Sequence, residues 1–129
     1  VLLAGGLPEF FTSMKKRYPN AGEFRFQYET GPNQTQWVID NLPKTAESYD
    51  TIVILVGSER HARIAESIRK LGKKVIVFSV MYPVYSERLT WADSILMGYS
   101  WSGYTLEAMS AVIAGEYKPK ASLPFTKEQ

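Results

Sequence analysis

The feature of this sequence that most limits its fold is a pair of nearly uninterrupted apolar runs, TIVILVG at 51–57 and KVIVFSV at 74–80. A strand with one solvated face alternates apolar and polar residues, whereas consecutive apolar residues are typical of strands that are covered on both faces. Three further apolar runs, at 1–4, 24–28 and 94–98, alternate with segments of helical spacing. The pattern predicts a three-layer α/β/α sandwich with a mostly parallel sheet of five or six strands.

The segments between these runs carry helix start and stop signals. Pro8 suits a first helical position, and it precedes an apolar stripe that includes Phe10 and Met14. Ser58 is a candidate N-cap of a second helix, and Gly72 is a candidate residue for the turn that closes it. These signals predict two helices that follow the first and third strands.

Two further helices are expected from weaker signals. One surrounds Trp37, and we expect Pro43 to end or kink it, because proline cannot donate the next helical hydrogen bond. The other runs from Thr105 to Gly115 and contains many small residues. With these helices the predicted strands 1–4, 51–56 and 74–80 occupy the centre of the sheet.

Composition excludes several classes of protein. The 129 residues, 45% hydrophobic and 22% charged, predict one folded domain over residues 1–129. The absence of cysteine excludes disulfides and thiolate ligands, and a single histidine excludes a multi-histidine site, so no metal is expected. A net charge of +2 without a large basic cluster predicts no nucleic-acid partner. There is no apolar run of roughly 18 residues that would span a membrane.

The first loop at the carboxyl edge of the predicted sheet, GGLPE at 5–9, contains two glycines. Ligands of open α/β sheets bind at this edge. The loop lacks the G-x-G-x-x-G pattern, and no P-loop sequence occurs in the chain, so no dinucleotide and no other cofactor is expected. We interpret the glycines as residues of a tight turn that needs their backbone freedom. Because the chain begins inside an apolar run, we also expect it to be part of a longer protein.

The loop GSERH at 57–61 contains Ser58, Glu59, Arg60 and His61. It follows a buried strand and begins a helix, a position that favours anions and can tune a carboxylate for proton transfer. In the alternative interpretation Ser58 caps the helix, Glu59 complements the helix dipole, and the remaining residues are solvated. Ser58, Arg60 and His61 are candidate ligand-binding residues, and Glu59 is an outside candidate for a catalytic group.

The loops at the same edge are rich in aromatic residues. Aromatic side chains with a polar group suit a sugar ring or a protein partner, because they offer a large contact area at little cost in side-chain entropy. Alternatively, several of them turn inward and cover the ends of the core. The residues are Tyr28, Tyr82, Tyr85, Tyr99, Trp101 and Tyr104. Tyr82, Tyr99 and Trp101 join Ser58, Arg60 and His61 as candidate carbohydrate-binding residues.

The C-terminal part of the chain has an ordered series of short motifs. The strand at 75–80 is followed by Pro83, the dipeptide Ala92-Asp93, a further strand, a small-residue helix that ends at Gly115-Glu116, and the dipeptide Leu123-Pro124. This order resembles the C-terminal α/β sandwich domain of glycoside hydrolase family 3. The resemblance covers the chain from residue 75 onward, and before that residue it is topological only.

The resemblance implies a role beside a catalytic domain. Ala121 stands where the family has glycine, and the loop after Gly57 is shorter than in members whose sandwich domain supplies the catalytic acid. The chain is therefore more similar to the β-N-acetylglucosaminidase branch, in which a preceding (β/α)₈ barrel carries both catalytic groups. The implied partners are that barrel and a β-linked carbohydrate substrate.

We accordingly expect no catalytic residue in this chain. Four acidic residues are expected on separate loops at the carboxyl edge of the sheet, and none forms a recognisable pair. They are Glu9, Glu29, Glu59 and Glu87. Two alternatives to an accessory domain stay open: a stand-alone sandwich that binds a small sugar or sugar phosphate at the strand edge, and a non-catalytic interaction module.

Overall fold

The computed structural model describes residues 1–29, 31–80, 85, 89–97, 110, 126 and 127. A short 3₁₀ helix, Arg69–Leu71, follows the third of three described helices. In chain order the elements are β1 (Leu2–Gly5), α1 (Pro8–Lys15), β2 (Gly22–Arg25), α2 (Pro32–Ala46), β3 (Thr51–Val56), α3 (Glu59–Glu66), β4 (Lys74–Ser79), β5 (Ser94–Met97) and β6 (Thr126–Lys127).

The six described strands form one sheet in the order β2-β1-β3-β4-β5-β6. Strands β1 to β5 are parallel, and β6 pairs with β5 in the antiparallel direction. The prediction of a mostly parallel sheet with β1, β3 and β4 at its centre is confirmed. The strand order reverses between β1 and β3, and this reversal is the topological switch point at which doubly wound α/β folds bind ligands.

Both faces of the sheet are covered by helices, because successive residues of a strand point to opposite sides. Ile54 of β3 packs in one core cluster with Leu42 of α2 and Ile64 of α3. Its neighbour Val53 packs in a second cluster with Phe10 of α1. All five side chains are at most 1% exposed. Two-sided burial explains the continuous apolar runs and confirms the three-layer fold.

The strand bounds agree best with the sequence where burial is two-sided. Strand β3 has the predicted bounds, β4 ends one residue before the predicted Val80, and β1 is shifted by one residue. Strand β2 was expected at 24–28 but covers Gly22–Arg25. It is an edge strand in which Phe24 is half-buried while Glu23 and Arg25 are exposed, so its apolar signal is weak. Its register is set by pairing with β1, from Leu2 opposite Gly22 onward.

The helix start signals are confirmed at Pro8 and Ser58, whereas Gly72 does not close α3, which ends at Glu66. Pro8 is the first residue of α1. Ser58 caps α3 by accepting a hydrogen bond from the backbone N–H of His61 at 3.3 Å. Gly72 follows the 3₁₀ helix with a φ of 68°, the left-handed conformation that glycine adopts without strain.

Of the two effects predicted for Pro43, termination of the helix is wrong, because α2 continues to Ala46. Proline removes one helical hydrogen bond, but the turn beyond it is closed by the Glu47 N–H, which donates to the Pro43 carbonyl at 3.2 Å. Leu42 and Ala46 are fully buried on either side. Packing of these two residues holds the last turn in place.

The Ala92-Asp93 dipeptide joins the turn before β5 to the start of β4. The backbone N–H of Val75 donates to the Asp93 carboxylate at 2.8 Å, and the Asp93 N–H donates to the Val75 carbonyl at 2.9 Å. Ala92 is 2% exposed. The dipeptide therefore has a structural role in this sheet.

The predicted helix from Thr105 to Gly115 lies outside the described residues except for Ser110, which is helical and buried. Among the described residues, no helix combines the length and the apolar character needed to cross a membrane.

Candidate functional site

A cleft of about 330 Å³ opens at the carboxyl edge of the sheet, over the switch point. One wall comes from the chain after β2, another from the start of α3, and a third from the region after β4. We call it the switch-point cleft. Its lining residues are Tyr28, Glu29, Ser58, Glu59, Arg60 and Tyr85. The structure therefore brings together the predicted residues Ser58, Glu59 and Arg60 with two of the aromatic residues predicted at the carboxyl edge of the sheet.

His61 lies beneath the cleft and joins two of its walls. Its Nδ1 accepts a hydrogen bond from the Gly57 N–H at 3.0 Å, and its Nε2 lies 2.6 Å from the Tyr28 carbonyl oxygen. Because an N–H can only donate and a carbonyl can only accept, the proton of the neutral ring is on Nε2. The ring also makes edge contacts with Tyr28 and Phe26, at centroid distances of 4.8 and 5.6 Å.

These contacts define what His61 contributes. The side chain is fully buried, and both ring nitrogens already have partners. Burial lowers the pKa of the imidazole below its ordinary value of 6.5, although the bond to the Tyr28 carbonyl acts in the opposite direction. We therefore assign His61 to positioning the cleft walls rather than to direct contact with a ligand.

Two glycines allow Tyr28 to lie over the ends of β1 and β3. A Cβ on Gly6 would come within 2.6 Å of the Tyr28 backbone nitrogen, and one on Gly57 would overlap the Tyr28 hydroxyl. That hydroxyl donates to the Gly57 carbonyl at 3.4 Å. Gly72 is the described glycine with positive φ, so the expected need for backbone freedom at 5–9 is wrong. Close approach of Tyr28 is what requires Gly6.

The start of α3 confirms the structural interpretation of Ser58 and Glu59, whereas His61, which that interpretation expects to be solvated, is buried. Ser58 is the N-cap and also lines the cleft, and Glu59 is an acidic residue in the first helical turn. A carboxylate at this position interacts favourably with the helix dipole. Arg60, half-buried, adds a guanidinium to the same wall. These residues of the helix start thus also form part of the cleft lining.

The aromatic residues also combine two roles. Tyr28 and Tyr85 are half-buried: each packs against a core cluster and lines the cleft. Core packing of the buried part of each ring therefore fixes the position of the part that lines the cleft. Tyr82, Tyr99, Trp101 and Tyr104 lie outside the described residues, and so does Glu87.

The structure adds Glu29 to the site, a residue that the sequence analysis treats as unpaired. Glu29 and Glu59 line the same cleft, on opposite walls built from the ends of β2 and β3. The strands β2 and β3 are separated in the sheet only by β1. Glu29 lies four residues beyond the end of β2, and its place in one cleft with Glu59 follows from a strand order that the sequence does not state.

The chemistry available in the cleft is hydrogen bonding and stacking. Two carboxylates, a hydroxyl and a guanidinium surround two tyrosine rings, a combination that suits a polyhydroxylated ligand with an apolar ring face. Within the described residues, no group of three His, Asp or Glu side chains is arranged to hold a metal ion.

Fold and cleft together define the class of this protein as a doubly wound α/β domain with a ligand-sized cleft at its switch point. No family model matches the chain, and no curated protein matches it. One similar solved structure is a fungal multi-domain GH3 β-N-acetylglucosaminidase, described by its unique GCN5-related glucosamine N-acetyltransferase region.

The similarity to this enzyme has a TM-score of 0.74 at 22% sequence identity, and it covers 99% of the present chain. The chain spans 15% of the length of the fungal protein. At this level of identity the comparison establishes the fold. It relates the chain to part of a GH3 protein.

Proposed function

We propose that the chain is an accessory α/β sandwich domain of a GH3-type glycosidase and that its switch-point cleft contributes to carbohydrate binding. The observation that supports this most is the fold similarity over 99% of the chain to part of a GH3 β-N-acetylglucosaminidase. The order of motifs from residue 75 onward supports assignment to the C-terminal sandwich domain of that family. The whole enzyme would act on β-linked sugars such as N-acetylglucosaminides, with both catalytic groups in a (β/α)₈ barrel.

The cleft chemistry supports carbohydrate over a phosphorylated or dinucleotide ligand. Of the three charged side chains among the described lining residues, two are the carboxylates Glu29 and Glu59, which repel a phosphate, and one is the cation Arg60. The tyrosine rings of Tyr28 and Tyr85 offer apolar surface for a sugar ring. A volume of about 330 Å³ lies at the lower end of ordinary small-molecule sites and fits one sugar unit.

The binding experiment is a calorimetric titration of the 129-residue chain with N-acetylglucosamine and with glucose. We expect Arg60→Ala to weaken sugar binding by about tenfold to a hundredfold, because a hydrogen bond to a charged group contributes roughly 1.5–3 kcal/mol. Arg63→Ala is the matched control, since Arg63 is an exposed arginine of the same helix outside the cleft lining. An equal effect of the two substitutions would contradict the proposed site.

The catalytic experiment is release of 4-nitrophenol from β-N-acetylglucosaminide and β-glucoside substrates. We expect no turnover above buffer, because the proposal assigns both catalytic groups to the barrel. Turnover that disappears in Glu59→Gln or Glu29→Gln would place the chemistry in this chain instead. Each variant is measured separately, because both acids line the cleft.

Two other ligands, and the absence of any sugar binding, test the alternatives. Binding of acetyl-coenzyme A would favour the acetyltransferase region named for the fungal enzyme. Binding of glucosamine 6-phosphate in preference to glucosamine would favour a stand-alone sugar-phosphate module. Binding of none of these sugars would favour an interaction module. Neither NAD nor DNA is expected to bind, since no complete phosphate-binding motif or large basic cluster occurs.

A further inference from the structure

A second cavity, of about 290 Å³, opens between α2 and the edge strand β2. We call it the Trp37 cavity, and its lining residues are Arg25, Phe26, Gln27, Gln34, Trp37 and Val38. The Trp37 side chain is 55% exposed, whereas large apolar residues elsewhere in the described core are buried. A single exposed apolar side chain is ordinary on a protein surface, so a ligand site here also requires the cavity and the polar groups beside the indole.

The indole is held in a fixed orientation. Its ring lies 5.8 Å from the Phe24 ring of β2, centroid to centroid, at an interplanar angle of 31°. A platform that is already ordered loses little conformational entropy when a ligand packs on it.

The polar groups around the indole are amides rather than charges. The Gln34 Oε1 accepts from the Gln27 backbone N–H at 2.8 Å, which fixes the Gln34 side chain at the cavity wall. Arg25 also lines the cavity, but its Nε donates to Glu23 and its guanidinium lies 4.3 Å from the centre of the Phe11 ring. The cavity therefore presents an indole with two glutamine side chains, and its one cation is engaged elsewhere.

This set of groups fits a pyranose ring. The axial C–H groups of a sugar form an apolar face that packs on an indole, while its equatorial hydroxyls bond to side-chain amides, which both donate and accept. A phosphate would require a cation directed at the cavity. A protein interface needs roughly 800 Å² on each partner, with a buried apolar centre. Among the described residues of this face, Trp37 is the one large apolar side chain that is exposed, which is too little for such a centre.

The Trp37 cavity adjoins the switch-point cleft along the chain. Gln27 lines the first and Tyr28 lines the second. Consecutive Cα atoms are about 3.8 Å apart, so the two cavities are lined by neighbouring residues, and one oligosaccharide is long enough to contact both. We infer that the Trp37 cavity is a second sugar subsite and that the ligand of this chain is a β-linked oligosaccharide rather than a monosaccharide. This inference rests on the proposed function for the neighbouring cleft.

The test is a calorimetric and fluorescence titration of the full chain with N-acetylglucosamine and with chitotetraose. We expect chitotetraose to bind about tenfold more tightly than the monosaccharide, as an added contact of roughly 1.4 kcal/mol would give. Trp37→Ala should remove that difference and leave N-acetylglucosamine binding unchanged. Trp37→Phe, which keeps an aromatic ring, should retain part of it. Lys44→Ala is the control, because Lys44 is exposed on the same helix and lies outside the cavity.

The two variants separate the possible failures. If chitotetraose binding is weakened by Arg60→Ala but not by Trp37→Ala, the second subsite is overturned and the proposed function stands. If Trp37→Ala weakens it and Arg60→Ala does not, the Trp37 subsite stands and the cleft assignment is overturned. If the wild-type chain binds neither sugar, both are overturned. Since Trp37 is largely exposed, its variants should melt within a few degrees of the wild type, and a melt that confirms this excludes unfolding as the cause.

Discussion

Lowering the pH from about 7.5 to about 5.5 should weaken the fold through one side chain, because a group whose pKa differs between the folded and unfolded states couples stability to pH. His61 is the single histidine of the chain, and burial lowers the pKa of its imidazole below 6.5. In the unfolded chain the ring takes up a proton near its ordinary pKa, whereas the folded chain resists protonation. Over this range the unfolded state therefore binds more protons, and the free energy of unfolding falls as the pH falls.

The size of the effect follows from one proton. Stability is complete above about pH 6.5, and below it the loss approaches 1.4 kcal/mol per pH unit until the folded pKa is reached. The structural reason is that protonation converts Nδ1 from an acceptor into a donor that faces the Gly57 N–H, 3.0 Å away. The bond between Nε2 and the Tyr28 carbonyl survives protonation, and it limits the drop in pKa.

The assay is urea denaturation at several pH values, followed by circular dichroism. His61→Asn can keep an acceptor for Gly57, and His61→Gln can keep a donor for Tyr28, while neither variant titrates in this range. Each should lose about 1–3 kcal/mol through one missing bond and imperfect packing, and its stability should stay flat between about pH 7 and 5.5. Parallel pH profiles for wild type and variants would refute the role of His61.

A second group titrates outside this window and serves as a reference. Hydrogen bonds from Lys15 and Arg25 lower the pKa of Glu23 below 4.5. A lowered carboxyl pKa contributes stability above the unfolded value, and this contribution is lost as the pH falls through the folded pKa. Since Glu23 is exposed, its effect is small and screened by salt. A loss of stability that begins above pH 6 is therefore not the contribution of Glu23.

Three further predictions concern the sheet and the cleft walls. Ile54→Asp should abolish cooperative folding, because Ile54 is fully buried in the central strand, while Ile54→Val should cost about 1 kcal/mol; a soluble Asp variant with a cooperative thermal melt would contradict the assignment. Gly57→Ala should destabilise the chain by overlap with the Tyr28 hydroxyl, whereas Gly31→Ala, where nothing lies within 4 Å, should be tolerated; equal melting temperatures would count against the packing. Ser58→Ala should lower the free energy of unfolding by about 1 kcal/mol in urea titrations, and Ser58→Asp, which keeps a cap acceptor, should stay near wild type.

Sequence reasoning succeeded where a residue pattern has one physical solution. The run at 51–56 is apolar at consecutive positions, and a strand buried on both faces is the arrangement that satisfies it. The Ser58 cap was predictable for the same reason, because a short side-chain oxygen before an apolar helical stripe satisfies the free N–H groups of the first turn. Helix α2 extends past Pro43 because tertiary packing of Leu42 and Ala46 outweighs one lost helical hydrogen bond.

The candidate site was predicted only in part. His61 was grouped with the ligand-facing residues, yet a signal against this was present: it lies three and seven positions before Ile64 and Ile68, on the buried stripe of α3. The presence of Glu29 and Glu59 in one cleft could not be predicted, because it depends on the position of β1 between β2 and β3. The sequence offers ligand contact and core packing as alternatives for the tyrosines, whereas side chains of this size reach both the core and the cleft.

The position of β1 between β2 and β3 also sets the order in which the sheet assembles. Leu2 of β1 pairs with Ile52 of β3, so the two partners are about 50 residues apart in the chain. During synthesis at roughly 5–20 residues per second, β1 waits about 3–10 s for its inner neighbour. In that interval Leu2, Leu3 and Ala4, all fully buried in the finished fold, have one unpaired edge. A chaperone that shields apolar strands during this wait should therefore raise the yield of folded chain more than a substitution that strengthens the completed sheet.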